Sequence, residues 1–187
     1  PPRSTLFPYT TLFRSRNIYL VGFMGAGKTC VAVELARRIA AEAVDLDHLV
    51  EAAAGLPVVE IFRRHGEPHF RLLELQQLRD VAGRGGQVVA LGGGTFTQAE
   101  AAALVQGSGV AVWLDCPLDE LVRRCVCHHA PRPLARSEAE FRALHTARLP
   151  HYRQAPFRVD TGGRTIAAVA AEIEEILSWK GLLIPDA

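Results

Sequence analysis

The segment Gly22-Phe-Met-Gly-Ala-Gly27-Lys28-Thr29 carries the most specific chemistry in the chain. It matches G-x-x-x-x-G-K-[ST], a pattern whose glycines let backbone N–H groups turn inward around phosphate oxygens. A helix starting at its end aims its positive pole at the same oxygens. Gly25, Ala26, Gly27 and Cys30 would supply backbone to that cradle, and Lys28 would reach the β- and γ-phosphates of a bound nucleotide. The Thr29 hydroxyl would ligate Mg²⁺. A Gly-rich turn before a helix is the plain alternative. Against it stands the composition: Lys28 and Lys180 are the only lysines among 21 basic residues, so a lysine in this slot is hard to obtain by accident. The motif alone does not choose between kinase, GTPase and motor ATPase. No guanine-reading Asn-Lys-x-Asp is present, and 187 residues leave no room for a large mechanical module.

Acid–base chemistry has its candidates in Asp45-Leu-Asp47. If this segment is extended, alternation puts both carboxylates on one side. One could hold Mg²⁺ through water, and the other could accept the proton of an attacking hydroxyl. Equally, Asp47 could simply cap the helix that follows. Arg71 and Glu74 lie one helical turn apart, so Glu74 can fix the direction of a guanidinium suited to gripping a carboxylate. The competing possibility is a surface ion pair. Gly92-Gly93-Gly94 offers amide donors and close backbone approach to a ligand, or is a plain turn. Cys125-x-Cys127-His128-His129 has the wrong spacing for a tetrahedral metal site and no second ligand pair, so it reads as part of a mobile segment. Cys30 reads as a small buried residue, and Trp113 and Trp179 as core or edge packing.

The elements that must position these groups alternate. Strands are expected at Asn17–Val21, Ala43–Asp45, Gln87–Leu91, Val110–Leu114 and Phe157–Asp160. Helical spacing marks Lys28–Ala41, Val58–Phe62, Phe70–Val81, Phe141–Tyr152 and Ile166–Trp179, and the Ala-rich runs at 52–54 and 101–103 read as helix. Strands separated by helices imply an α/β fold: three layers, a parallel central sheet with helices on both faces. Ligands of such sheets bind beyond the carboxyl ends of the strands, where the glycine runs and charged residues fall. The Arg- and His-rich stretch 123–136 has weak periodicity and is expected to be a mobile lid.

Bulk properties narrow the partners. Hydrophobic residues make up 49% and charged residues 22%, and 21 basic residues face 20 acidic ones. Neither nucleic acid nor membrane is implied as a partner, and no run approaches the roughly 18 apolar residues of a span. Four cysteines are too few and too unevenly placed for a disulfide framework, which makes a cytoplasmic setting the expectation. Residues 1–15 repeat Thr-Leu-Phe at 5–7 and 11–13 and lack the apolar core of a secretory signal. They are expected to be a non-native or disordered extension, leaving a domain over 16–180 and a tail over 181–187.

Taken in order, Gly-Phe-Met-Gly-Ala-Gly-Lys-Thr, Asp-x-Asp, Ile-Phe, Gly-Glu-x-x-Phe-Arg-x-x-Glu, Gly-Gly-Gly, Arg-Pro-Leu and Arg-x-Pro-x-Tyr resemble the shikimate kinase family. The resemblance spans Arg16 to about Trp179 and implies a nucleoside-monophosphate-kinase-like fold and ATP-dependent phosphorylation of the shikimate 3-hydroxyl. It implies that Asp47 binds the reacting hydroxyl as base, with Asp45 near Mg²⁺ and Lys28 on the phosphates. Arg71 and Arg148 would grip the shikimate carboxylate, Gly93 and Gly94 would add backbone contacts, and Glu74 would orient Arg71. Phe62 would pack near the ring. Arg132 corresponds to the lid arginine that closes on the transferring phosphate, and Arg124 and Arg164 to positions beside adenine. A monomer is expected. A gluconate-type kinase and a non-catalytic nucleotide-binding module are the rival readings; the paired arginines argue against the first, and the presence of Lys28, Asp47 and Arg132 against the second.

Overall fold

The computed structural model describes residues 16–127 and 137–183, with only the backbone of 126 and 127. The expected extension 1–15, Arg132, most of the expected lid and residues 184–187 lie outside the described residues. Among the described residues five strands form one sheet: β1 (Asn17–Val21), β2 (Glu42–Asp45), β3 (Gln87–Ala90), β4 (Gly109–Asp115) and β5 (Phe157–Asp160). Their order is β2-β3-β1-β4-β5 and every pairing is parallel, with Ile18 opposite Val88 on one side and Val110 on the other. The β1 sequence NIYLV and the β3 sequence QVVA are buried at every residue, as strands covered on both faces must be.

Among the described residues seven α-helices flank the sheet: α1 (Lys28–Arg38), α2 (Leu46–Ala54), α3 (Val58–Ala82), α4 (Ala99–Ser108), α5 (Leu118–Cys127), α6 (Glu138–Tyr152) and, after the last strand, α7 (Ile166–Trp179). From β1 the chain moves to β2 and β3 on one side, and β4 and β5 fall on the other. The crevice beyond the carboxyl ends of β1 and β3 is therefore the place where a ligand fits. Most apolar side chains join one core around the sheet. A smaller cluster of Val50, Ile61 and Phe70, with Val58 and Phe62 against it, ties α2 to α3 and stands apart from that core.

The two helices expected at 58–62 and 70–81 are both present; they abut within α3 with a break at Gly66, whose φ of 79° and ψ of 171° are not helical. Pro68 follows two residues later and lacks the N–H that a straight helix would use. Three details differ from the sequence reading. Residues 123–127, expected in the mobile stretch, complete α5; its acidic first turn suits the helix dipole and Leu121 anchors it in the core. Trp179 is 81% exposed instead of packed, and lies against Lys180. Leu183, read as tail, is 1% exposed and belongs to the main core.

Candidate active site

The phosphate loop follows β1 as its sequence requires. Gly25 and Gly27 take φ values of 84° and 91°, the left-handed region in which glycine is at ease. Gly27 caps α1, so the amides of Lys28, Thr29 and Cys30 start the helix with no intrahelical acceptor and face outward from its N-terminus. The Ala26 amide is used inside the loop, donating to the Phe23 carbonyl. Cys30 is exposed, not buried, because it sits in the first turn of α1 beyond the packed face. Lys28 Nζ donates to the carbonyls of Gly22 and Phe23, both at 3.0 Å. Burial lowers its pKa to about 8, although Asp47 and Asp45 favour its charged form.

Thr29 Oγ1 donates to Asp45 Oδ2 at 2.6 Å, which joins the start of α1 to the end of β2. A hydroxyl beside a carboxylate is an oxygen pair of the kind Mg²⁺ accepts, so these two residues fit the ion expected of the motif. The other Asp45 oxygen accepts from the amides of Asp47 and His48, making Asp45 the cap of α2. Capping was one reading of Asp47; the structure gives that task to its neighbour and leaves the Asp47 side chain clear of it. Asp47 carries a pKa raised to about 6, first by burial and then by the nearby charges of Glu74 and Asp45, against the pull of Lys28 and Arg71.

Asp47, Arg71 and Arg148 line one cavity of about 250 Å³. Its remaining walls are Met24 of the phosphate loop, Val58, Phe62, Phe70, Glu74 and the turn Gly92–Gly94. Arg71 donates from Nη1 to Glu74 at 2.7 Å and from Nη2 and Nε to Glu67 at 2.9 and 3.1 Å. Glu74, 2% exposed, is itself held by the Thr95 hydroxyl. The pair is therefore no loose surface contact: a buried carboxylate fixes the guanidinium. Gly92 and Gly94 are needed here for space. A Cβ on Gly92 would lie 2.7 Å from Glu74 Oε1 and 2.8 Å from Asp47 Oδ1, and one on Gly94 would collide with the Arg71 guanidinium. Arg148 is 8% exposed, lies over the Phe23 ring, and has no ion-pair partner among the described residues. A buried cation without a counter-charge, facing a cavity, favours an anionic occupant.

Arg124 reaches from α5 to the Gly25 carbonyl at 3.1 Å and is also held by Glu120 and the Thr161 carbonyl. It bridges the phosphate loop and the segment after β5. Arg164 folds back on its own neighbourhood, donating to the carbonyls of Asp160 and Ala168 and to Glu172. The Cys127 side chain, His128 and His129 lie outside the described residues. Reading the sequence missed Met24, Val58 and Phe70 as cavity walls, Glu67 as the second partner of Arg71, and Thr95 and Tyr152. The apolar pattern marked Phe70 as inward-facing, without saying that inward meant the cavity; Thr95 gave no signal.

A strand–glycine loop–helix phosphate cradle, an acidic residue and two arginines around one cavity define a P-loop phosphotransferase. Residues 24–178 match the model of the shikimate kinase family. The chain is 40% identical to a shikimate kinase of Geobacter metallireducens, across 88% of this chain and 93% of that one. It is 41% identical to one of Synechococcus sp. strain CC9605, across 87% and 82%. Its fold superposes on shikimate kinase from Acinetobacter baumannii in complex with shikimate with a TM-score of 0.85, at 34% identity over 90% of this chain and 96% of the other. The chain belongs to the shikimate kinase family. The Mycobacterium tuberculosis APS kinase CysC, 22% identical with a TM-score of 0.58, shares the fold.

Proposed function

We propose that this protein transfers the γ-phosphoryl group of ATP to the 3-hydroxyl of shikimate. The observation that carries the reading is the single cavity onto which Asp47, Arg71 and Arg148 open beside the phosphate loop. Shikimate is a carboxylate on a small ring, and the cavity offers two guanidiniums for the first and Val58, Phe62 and Phe70 for the second. Asp47 accepts the hydroxyl proton; a pKa of about 6 leaves it ionised near neutrality yet basic enough to matter. Lys28 exchanges its two loop carbonyls for phosphate oxygens, and the free amides at the start of α1 complete the cradle.

Mg²⁺, bound with ATP, neutralises charge on the phosphates, and Thr29 with Asp45 is the pair that would hold it. Gly93 and Gly94 add backbone contacts to the acid. Arg124 and Arg164 flank the adenine, and Arg132 supplies a guanidinium to the transferring group. The enzyme works as a monomer on dissolved metabolites in the cytoplasm. No described helix is long and apolar enough to cross a membrane.

A coupled assay of ADP release tests the reading. Turnover with shikimate and none with gluconate is expected. ATP binding without turnover on any hydroxy acid would reduce the protein to a nucleotide-binding module.

A further inference from the structure

Tyr152 closes the Arg148-x-Pro150-x-Tyr152 segment, yet the proposed chemistry gives it no task. Its ring is 1% exposed and stacks on Trp113 of β4, with centroids 6.4 Å apart. Its hydroxyl donates to the Gly93 carbonyl. Burial pushes its pKa up to about 12 despite the Arg148 guanidinium beside it, so it remains a phenol, a donor, at every working pH. Arg148 sits four residues earlier on the same face of α6.

A trans peptide is planar, and its C=O and N–H point in opposite directions. Holding the Gly93 carbonyl toward Tyr152 therefore turns the Gly94 N–H the other way. That amide finds no acceptor among the described residues, and Gly94 lines the cavity. Without a side chain at either position, the Gly93–Gly94 peptide could flip cheaply if nothing held its carbonyl.

We infer that Tyr152 is a positioning residue for the acid-binding half of the site, fixing the polarity of the Gly93–Gly94 peptide while flanking Arg148. The inference rests on the proposed shikimate kinase reading. It predicts that the acceptor half of the reaction responds to a hydroxyl that touches neither substrate.

The test is Tyr152→Phe, which keeps the ring and removes one oxygen. The shikimate KM is expected to rise about tenfold or more, with kcat within about threefold and the ATP KM unchanged. A merely structural role would lower the melting temperature and leave that split absent. Trp113→Leu serves as the second variant: it loosens the ring and keeps the hydroxyl, and should move the same KM in the same direction by a smaller factor. Wild-type turnover with a Tyr152→Phe enzyme of unchanged shikimate KM, or with equal rises in both KM values, overturns the inference alone. A wild-type enzyme inert toward shikimate overturns the functional reading and the inference with it.

Discussion

The two halves of the cleft are built in opposite ways. The phosphate half is a run of adjacent residues, Gly22 to Cys30, whose working parts are mostly backbone amides set by glycine turns and one helix start. The acceptor half draws side chains from α2, α3 and α6, from Asp47 to Arg148 along the chain, and relies on contacts such as Thr95 to Glu74 to Arg71 to aim them. A backbone site is tied to local geometry and tolerates little. A side-chain site can be weakened one contact at a time, so substitutions there should separate the two substrates.

The largest separation should come from Asp47→Asn. Turnover is expected to fall by about a thousandfold or more, with ATP affinity nearly intact; nucleotide titration beside single-turnover rates measures both. A parallel loss of ATP affinity would mean that the halves are not independent. Next is Arg71→Ala, for which the shikimate KM should climb about a hundredfold while the ATP KM stays within about twofold. Equal changes in steady-state KM for both substrates would break the comparison.

The pH dependence sharpens it further. Asp47 must be ionised to take a proton, so kcat/KM should rise about tenfold per pH unit below about 6 and level above it. Lys28 must be charged, so the same quantity should fall above about 8. Saturating ATP should move only the alkaline limb upward in kcat, since bound phosphate favours the ammonium. A profile flat from pH 5 to 9 would refute both assignments.

The smallest effect is on stability. The folded Asp47 carboxyl titrates at about 6, above its ordinary 3.8, so the folded chain holds the proton more tightly than the unfolded one. Stability from this group is present below 3.8 and is lost as pH rises to about 6, a penalty of up to about 3 kcal/mol. Asp47→Asn should therefore raise the melting temperature by up to about 6–12 °C at pH 8 and by far less at pH 4, as a thermal melt would show.

The same contrast explains what could be read from the sequence. The phosphate loop is contiguous, so its pattern was legible, and the five strands stood out as short apolar runs between turn residues. Spacing alone could not tell Asp45 and Asp47 apart: both can cap a helix, and a two-residue shift in the helix start decides which carboxylate is left for chemistry. Helix α5 was hidden because Arg123, Arg124, Cys125 and Cys127 blurred the apolar spacing that Leu118, Leu121 and Val122 carry. Arg71 and Glu74 were legible because they share a helix turn. Thr95 and Tyr152 were not assigned a task, because each acts on a partner that only the folded chain brings within reach.

The scarcity of lysine gives Lys28 a further use. Near pH 8 a fraction of its amines are free base, held against the Gly22 and Phe23 carbonyls, whereas Lys180, the other lysine, sits beside exposed Trp179 at the far end of α7. Should Lys28 hold phosphate as proposed, ATP lowers its acylation by a mild reagent and leaves that of Lys180 alone. The ratio of the two labelled peptides is a built-in gauge of nucleotide occupancy, with the surface amine as its reference.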